Sequence, residues 1–285
     1  MDKLNSVSFD RWVSSQDPYG TSSCSLDLRG IRLITPTPLV QLAALCHALA
    51  REGRRPRIVL DDVGVSSYLV RSGFVEVVKP VVDFSSSTLG IDALEYAYQR
   101  GSNQMLVEVT SIEDSAALSD VLDRIVSVLR DQFQYRERAA FDAAIAVSEI
   151  AQNTFDHNGH PCGFLAMQVY TGSRGTFLEI GVADHGAGLT ATLARNPKNG
   201  LIVSDQDAIQ QAMRLGTSEH DDPTRGTGLY HLLEIAYAHE GSAQIRSGSA
   251  KIRFRMDKRR GWVVWPVYSL PGVQIALMLQ AKAQA

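Results

Sequence analysis

A carboxylate, an amide and an imidazole recur every fourth residue as Glu149, Asn153 and His157. The first two lie in a run, 139–154, that is made mostly of good helix formers and holds no glycine or proline. Because residues four apart share one face of a helix, the three side chains are predicted to line up. A carboxylate and an amide one turn apart suit a hard cation and a water molecule better than a protein core. The pattern therefore predicts a polar helix face that binds a metal ion and water.

A second candidate stretch, Asp184-His-Gly186-Ala-Gly188, follows a predicted strand at 176–183. A carboxylate at a strand end followed by two glycines lets the backbone approach a flat ligand without Cβ clashes. An ionised aspartate accepts hydrogen bonds, so it suits an exocyclic amine such as that of adenine. This short motif also occurs in ordinary turns, so on its own it has low specificity.

The third candidate stretch, Arg225-Gly-Thr-Gly228-Leu229, precedes a predicted helix at 229–238. Glycines there expose backbone N–H groups at a helix N-terminus, where the helix dipole favours phosphate. Arg225 could pair with the same phosphate. The stretch is not a P-loop, because no Gly-Lys-Ser/Thr follows, and its glycine spacing is not that of a Rossmann fold.

The rest of the C-terminal part supplies elements that could position these motifs. Apolar periodicity predicts a strand at 105–109, a helix at 115–133 and a hairpin of strands 163–170 and 176–183. Four features follow one another in this part: a helix with E-x-x-x-N, a strand ending in D-x-G-x-G, a long loop, and G-x-G-L opening a helix. In this order they resemble the ATP-binding domain of the GHKL superfamily. That superfamily includes gyrase, Hsp90, histidine kinases and MutL, and the resemblance covers roughly 104–281.

The resemblance implies an α/β sandwich, with a mixed sheet on one face and helices on the other, that binds ATP and Mg²⁺. It implies that Asn153 coordinates Mg²⁺, that Glu149 is the catalytic residue that orients or activates the attacking nucleophile, and that Asp184 binds the adenine amine. The loop at about 190–225 would form an ATP lid. The remaining implied nucleotide contacts are Gly186, Gly188, Thr217, Arg225, Gly226, Thr227, Gly228 and Leu229. No role is assigned to the other histidines, among them His185 and His231.

The N-terminal third is predicted to be a separate small α/β domain, because strands alternate with helices. The sequence predicts helices at 39–51 and 66–72, and strands at 57–60 and 74–78. This part resembles STAS domains, the fold of anti-sigma-factor antagonists. The expected organisation is a STAS-like domain at 1–85, a linker at 86–103 and a GHKL domain at 104–285.

Thr37 falls where STAS-type antagonists carry their phosphorylatable serine. The surrounding Thr35-Pro-Thr37-Pro38 lacks the aspartate of that family and adds two prolines. Thr37 as a helix N-cap, with Pro38 in the first helical position, explains the residue without phosphorylation.

Composition excludes several classes of protein. The net charge of -3 gives no general attraction to nucleic acid or membranes, and no apolar run approaches the roughly 20 residues of a membrane span. The polar N-terminus lacks the apolar core of a signal peptide, and the three cysteines have no zinc-like spacing. We therefore expect a cytoplasmic protein with reduced thiols and no membrane partner.

The E-x-x-x-N-x-x-x-H spacing resembles anti-sigma-factor serine kinases. The predicted function is a Mg-ATP-binding regulator, a serine/threonine kinase or slow ATPase that acts by partner switching. Its protein partner would be a sigma factor or a STAS-type antagonist, and a homodimer is kept open. One alternative is a nucleotide-gated interaction module with little catalysis. Another is a GHL-type ATPase that contacts nucleic acid through the basic ribbon 251–260, although a solvated hairpin explains that ribbon better and nucleic acid is not the expected partner.

Overall fold

The computed structural model describes residues 2–20, 24–61, 63–85, 106–156, 163–172, 175–214, 228–255 and 261–281. It confirms a mixed α/β protein. The predicted linker at 86–103 lies outside the described residues, so the domain division stays a prediction. Among the described helices, none is both long and apolar enough to cross a membrane.

The N-terminal part is a small parallel α/β unit. Its strands are β1 (Lys3–Leu4), β2 (Ser25–Asp27), β3 (Leu33–Ile34), β4 (Arg57–Val59) and β5 (Asp83–Phe84). Its helices are α1 (Phe9–Gln16), α2 (Pro36–Arg51), α3 (Val63–Arg71) and α4 (Phe74–Val78). Strands β2, β4 and β5 pair in parallel in that order, and β1 pairs in parallel with β3. Intervening helices make such parallel pairing possible.

Two local predictions for this unit are wrong. Residues 74–78 form helix α4 instead of a strand, because Gly73 turns the chain with φ +71° and Phe74, Val75 and Val78 are then buried at helical spacing. Helix α2 begins at Pro36 with Thr35 at the N-cap, so Thr37 lies inside the first turn. Both prolines are tolerated there because the first N–H groups of a helix have no partner within it.

The C-terminal part contains a five-stranded sheet. Its strands are β6 (Leu106–Ile112), β7 (Gly163–Gly172), β8 (Gly175–Asp184), β9 (Ser242–Arg255) and β10 (Gly261–Gln280). They lie in the order β6-β7-β8-β10-β9, and every described neighbouring pair is antiparallel. The described part of the sheet therefore differs from the mixed sheet that the resemblance implies, because all four of its strand pairs are antiparallel.

Three long helices cover one face of this sheet. They are α5 (Ser115–Asp131), α6 (Glu137–Asp156) and, near the end of the chain, α9 (Gly228–Ala238). Two short helices, α7 (Gly188–Leu193) and α8 (Asp205–Ala212), pack near β9 and β10. The side chain of Asp114 begins α5 by accepting hydrogen bonds from the N–H groups of Ala116 and Ala117. Aliphatic residues of these helices and of the sheet form the larger core.

The N-terminal unit covers the opposite face of the five-stranded sheet. Helix α2 packs on β7, β8 and β10, and Phe164, Ala166 and Ala183 of the sheet join the core of the N-terminal unit. Gly181 permits the close approach, because a Cβ at this position would lie 2.7 Å from Cα of Thr37. The sheet is therefore buried on both faces where the described elements overlap.

A buried charge cluster also joins the two parts. Arg246 and Lys251 on β9 are buried, and both bind the carboxylate of Asp10 on α1. Arg246 also donates to Gln274 Oε1 and to the carbonyl of Tyr268. The interpretation of the basic ribbon as a solvated hairpin is wrong for Lys251, because α1 covers that side chain. Residues 256–260 of the ribbon lie outside the described residues.

Candidate functional site

Helix α6 carries Glu149 and Asn153 on its open side. Asn153 is exposed and Glu149 is half-buried, whereas Val147 and Ile150 are buried in the core. This pattern follows from the helical period, which turns residues four apart toward the same side. It confirms that the carboxylate and the amide lie one turn apart outside the core. His157 lies outside the described residues.

Glu149 contacts the start of helix α9. A Cβ at Gly228 would lie 3.1 Å from Cβ of Glu149 and 3.3 Å from its Oε2. A Cβ at 228 would therefore require Glu149 to shift by a few tenths of an ångström. The glycine lets the N-terminus of α9, where backbone N–H groups lack helical partners, come against the carboxylate-bearing face of α6.

His231 is a site residue that the sequence analysis did not select. Its Nδ1 lies 3.3 Å from Glu149 Oε2, and the two side chains are 45% and 32% exposed. It lies three residues after Gly228, so on a helix it lies near that glycine, and this spacing is the signal that could have identified it. The imidazole can orient the carboxylate or exchange a proton with it.

Asp184 lies at the end of β8, as predicted, and closes its own turn. Its Oδ1 accepts from the N–H of Gly186 at 2.8 Å, and its Oδ2 accepts from the N–H of Val273 at 3.1 Å. Burial raises the pKa of this carboxyl to about 7, although the two backbone hydrogen bonds favour the charged form. Each carboxylate oxygen has a second lone pair, so Asp184 keeps the capacity to accept from a ligand.

Glycines allow the turn that follows Asp184 to pack against β10 near Gly272. Gly188 has φ +77°, and the N–H of the next residue, Leu189, donates to Ser247 Oγ at 2.9 Å. Gly272 has φ +78°, and a Cβ there would lie 2.1 Å from the carbonyl oxygen of Asp184. The positive φ favours glycine at both positions, and at Gly272 the lack of space also excludes a Cβ. The D-x-G-x-G motif indicates Gly188, whereas no local motif indicates the role of Gly272.

The described part of the predicted lid is attached to the sheet. Asp205, in the first turn of α8, accepts hydrogen bonds from Thr190 Oγ1 and from the N–H and hydroxyl of Ser249 on β9. Hydrogen bonds of Asp205 therefore hold the segment 190–214 against the sheet. The rest of the predicted lid, at 215–227, lies outside the described residues.

The structure brings the candidate residues together in two groups. Gly228 joins Glu149 directly, and Gly186 and Gly188 form the turn of Asp184. The groups are connected because α6 packs on α9, β7 and β8. Leu229 is partly buried and packs against the larger core. The predicted contacts Thr217, Arg225, Gly226 and Thr227 lie outside the described residues.

The donor set of the described residues fits a magnesium ion that is held mainly by a substrate. No group of three or more histidine, cysteine, aspartate or glutamate side chains in this part of the chain could hold a metal ion alone. Asn153 is an exposed residue one helical turn from Glu149, and its side chain contains one amide oxygen of the kind that can bind Mg²⁺. Mg²⁺ commonly takes one or two protein oxygens and completes its shell with phosphates and water.

We expect the free energy of unfolding to depend on the ionisation of Asp184. The pKa in the folded protein is about 7, above the value of about 3.9 in an unfolded chain. The favourable contribution of the protonated form is fully present below about pH 4 and is lost as the pH rises through 7. Between pH 5 and 7, the free energy of unfolding measured with urea should fall as the pH rises. The contribution of this group to that fall should approach about 1.4 kcal/mol per pH unit.

Asp184→Asn serves as the comparison for this titration. The amide can still accept one of the two backbone hydrogen bonds, and it does not ionise. As the pH rises from 5 to 7, the wild-type protein should therefore lose stability relative to the variant. A difference that stays constant across this range would show that Asp184 is ionised throughout.

Comparison with known proteins assigns no family. No protein-family model matches the chain. No curated protein matches it significantly either.

Proposed function

We propose that this chain is a cytoplasmic Mg-ATP-binding regulatory protein, a serine/threonine protein kinase or slow ATPase of the anti-sigma-factor type. In this proposal, the C-terminal part is a GHKL ATP-binding domain and the N-terminal unit is STAS-like. The contact between Gly228 and Glu149 carries the proposal, because it joins two motifs that are distant in the sequence. A glycine-led helix N-terminus beside a carboxylate is suited to a phosphate and its attacking nucleophile.

Each described site residue has a defined part in this proposal. Asn153 would hold Mg²⁺, the start of α9 would bind phosphate, and Glu149 would orient or deprotonate the nucleophile. Asp184 would accept a hydrogen bond from the adenine amine. Bound Mg-ATP supplies the transferable phosphoryl group and neutralises part of its charge, and the residues mainly supply position and electrostatic stabilisation.

A kinase of this kind would act on a separate protein. Thr37, the counterpart of the phosphorylatable serine of STAS-type antagonists, is 1% exposed and lies against Gly181 of the sheet. Its hydroxyl is therefore inaccessible to an active site while α2 is docked. A sigma factor or a separate STAS-type antagonist remains the proposed partner class, and the free thiols at Cys24 and Cys46 fit a reducing compartment.

Incubation with Mg²⁺ and ATP labelled in its γ-phosphate tests this function. We expect wild-type protein to release labelled phosphate slowly or to transfer it to an added STAS-type protein. Asn153→Ala should lose at least about tenfold of this activity, because Mg²⁺ loses its protein ligand. Gln152→Ala is a matched control, since Gln152 is also exposed and contacts Ser148.

The fate of the label separates the alternatives. Free phosphate indicates an ATPase, and label on the added protein indicates a kinase. ATP binding without turnover would support the nucleotide-gated interaction module instead. Equal turnover by wild type and Asn153→Ala would contradict the assignment of the metal ligand.

A further inference from the structure

Helix α2 lies along β8, the strand that ends in Asp184. Near the start of the helix, Thr35 Oγ1 donates to Glu179 Oε1 at 2.9 Å, and the N–H of Thr37 donates to the same oxygen at 3.2 Å. Glu179 is 3% exposed. A buried carboxylate at a helix N-terminus is stabilised by the N–H groups and by the dipole of that helix. This contact attaches the N-terminal unit to the middle of the strand.

The other end of α2 contacts the residue that follows the strand. Arg51, the last residue of α2, places Nη1 3.5 Å from Nδ1 of His185. A guanidinium can only donate, so this contact requires Nδ1 of His185 to accept. In the tautomer that accepts this hydrogen bond, the imidazole is neutral with its proton on Nε2.

An aromatic cluster further restricts His185. The ring of His47, also on α2, stacks on it with centroids 5.8 Å apart and an interplanar angle of 24°. The ring of Phe164 lies 6.2 Å from His185 and 5.0 Å from His47. Nε2 of His47 hydrogen-bonds with the carbonyl oxygen of Val77, so the second ring is itself held. His185 therefore packs against the N-terminal unit and is 7% exposed.

We propose that Arg51 is a positioning residue of the nucleotide site and that docking of the N-terminal unit sets nucleotide affinity. Arg51 holds His185, and His185 is covalently adjacent to Asp184 in the turn that continues to Gly188. Fixing this turn places the acceptor carboxylate for the adenine amine. A protein that draws α2 from the sheet would thereby release nucleotide, which gives the proposed partner switching a physical route. The inference rests on the proposed function.

Nucleotide binding by full-length variants tests the inference. We expect Arg51→Ala to weaken the binding of a fluorescent ATP analogue in the presence of Mg²⁺ by about tenfold, a usual size for coupling between sites. Arg51→Lys should recover most of the affinity, because it restores a cationic donor. Arg57→Ala is the control, since Arg57 lies in the same unit and its side chain is exposed. Arg51 is exposed as well, so its substitution should leave the fold intact.

Nitrogen NMR of His185 gives a second measurement that does not require nucleotide. Wild type should show an unprotonated Nδ1 and a protonated Nε2, and Arg51→Ala should show a mixture of the two tautomers. If wild-type protein binds nucleotide and the variants Arg51→Ala and Arg57→Ala bind it with equal affinities, the inference is overturned and the proposed function still stands. A wild type that binds no nucleotide would overturn the proposed function and this inference with it.

Discussion

We expect the replacement of Glu149 by Gln to remove the proposed phosphoryl transfer from ATP and to leave ATP binding close to that of wild-type protein. The two side chains have nearly the same shape, so the contact with Gly228 is retained. The amide cannot accept a proton from water or a hydroxyl, and the loss of a general base lowers rates by about 10²–10⁴-fold. Single-turnover transfer of labelled phosphate measures the loss, and titration with a fluorescent nucleotide measures the binding.

Two further variants show whether this effect is specific. His231→Ala should lower the rate less than Glu149→Gln, because the histidine would act on the proposed reaction only through the carboxylate. Glu234→Gln, on the exposed side of the same helix α9, should change neither rate nor binding. Phosphoryl transfer at the wild-type rate by Glu149→Gln would remove the proposed role of Glu149.

Replacing Asp10 by Asn destabilises the protein by about 3–5 kcal/mol, the usual effect of removing one partner of a buried ion pair. Asp10 Oδ1 lies 3.1 Å from Nε of Arg246, and its Oδ2 lies 2.6 Å from Nζ of Lys251. Without the carboxylate, two buried cations would remain near each other. Burial lowers the pKa of Lys251, because removal of the ammonium from water disfavours its charged form.

Urea unfolding measures the effect of Asp10→Asn, with Asp83→Asn as the control. Asp83 also pairs with an arginine, Arg55 at 2.7 Å, but more than half of each side chain is exposed. An exposed pair contributes up to about 1 kcal/mol, so the control should lose little. Equal losses in the two variants would mean that the cluster beneath α1 is solvated in solution.

Features with a strong local pattern could be predicted from the sequence. Helix α5 begins at Ser115 as expected, because Asp114 caps it and apolar residues recur at helical spacing. Strand β8 and the place of Asp184 at its end follow from the alternation of apolar residues with Glu179 and Gly181. Glu149 and Asn153 share a helix face because residues four apart lie on the same side of a helix. In each case, neighbours in the sequence contain the necessary information.

Features that depend on contacts between distant residues could not be predicted. Glu179 and Gly181 alternate with apolar residues on β8, a pattern typical of a strand with one face in solvent. Helix α2 buries that second face, and nothing near Glu179 in the sequence indicates this partner. The same reasoning applies to Lys251. A lysine side chain is typical of the protein surface, and only the contact with Asp10 of α1 accounts for its burial. No local pattern indicates the packing of His185, because its contacts with Arg51 and His47 come from α2.

Calorimetric titration of the full-length protein with ATP, first with Mg²⁺ and then with a chelator, tests the central claim most directly. We expect saturable binding of one ATP per chain with Mg²⁺ and at least about tenfold weaker binding without it, since Asn153 would help to hold a metal ion that neutralises phosphate charge. Asn153→Ala should bind ATP with the weaker affinity in both conditions. Absence of measurable ATP binding to wild-type protein in the presence of Mg²⁺ would contradict the account.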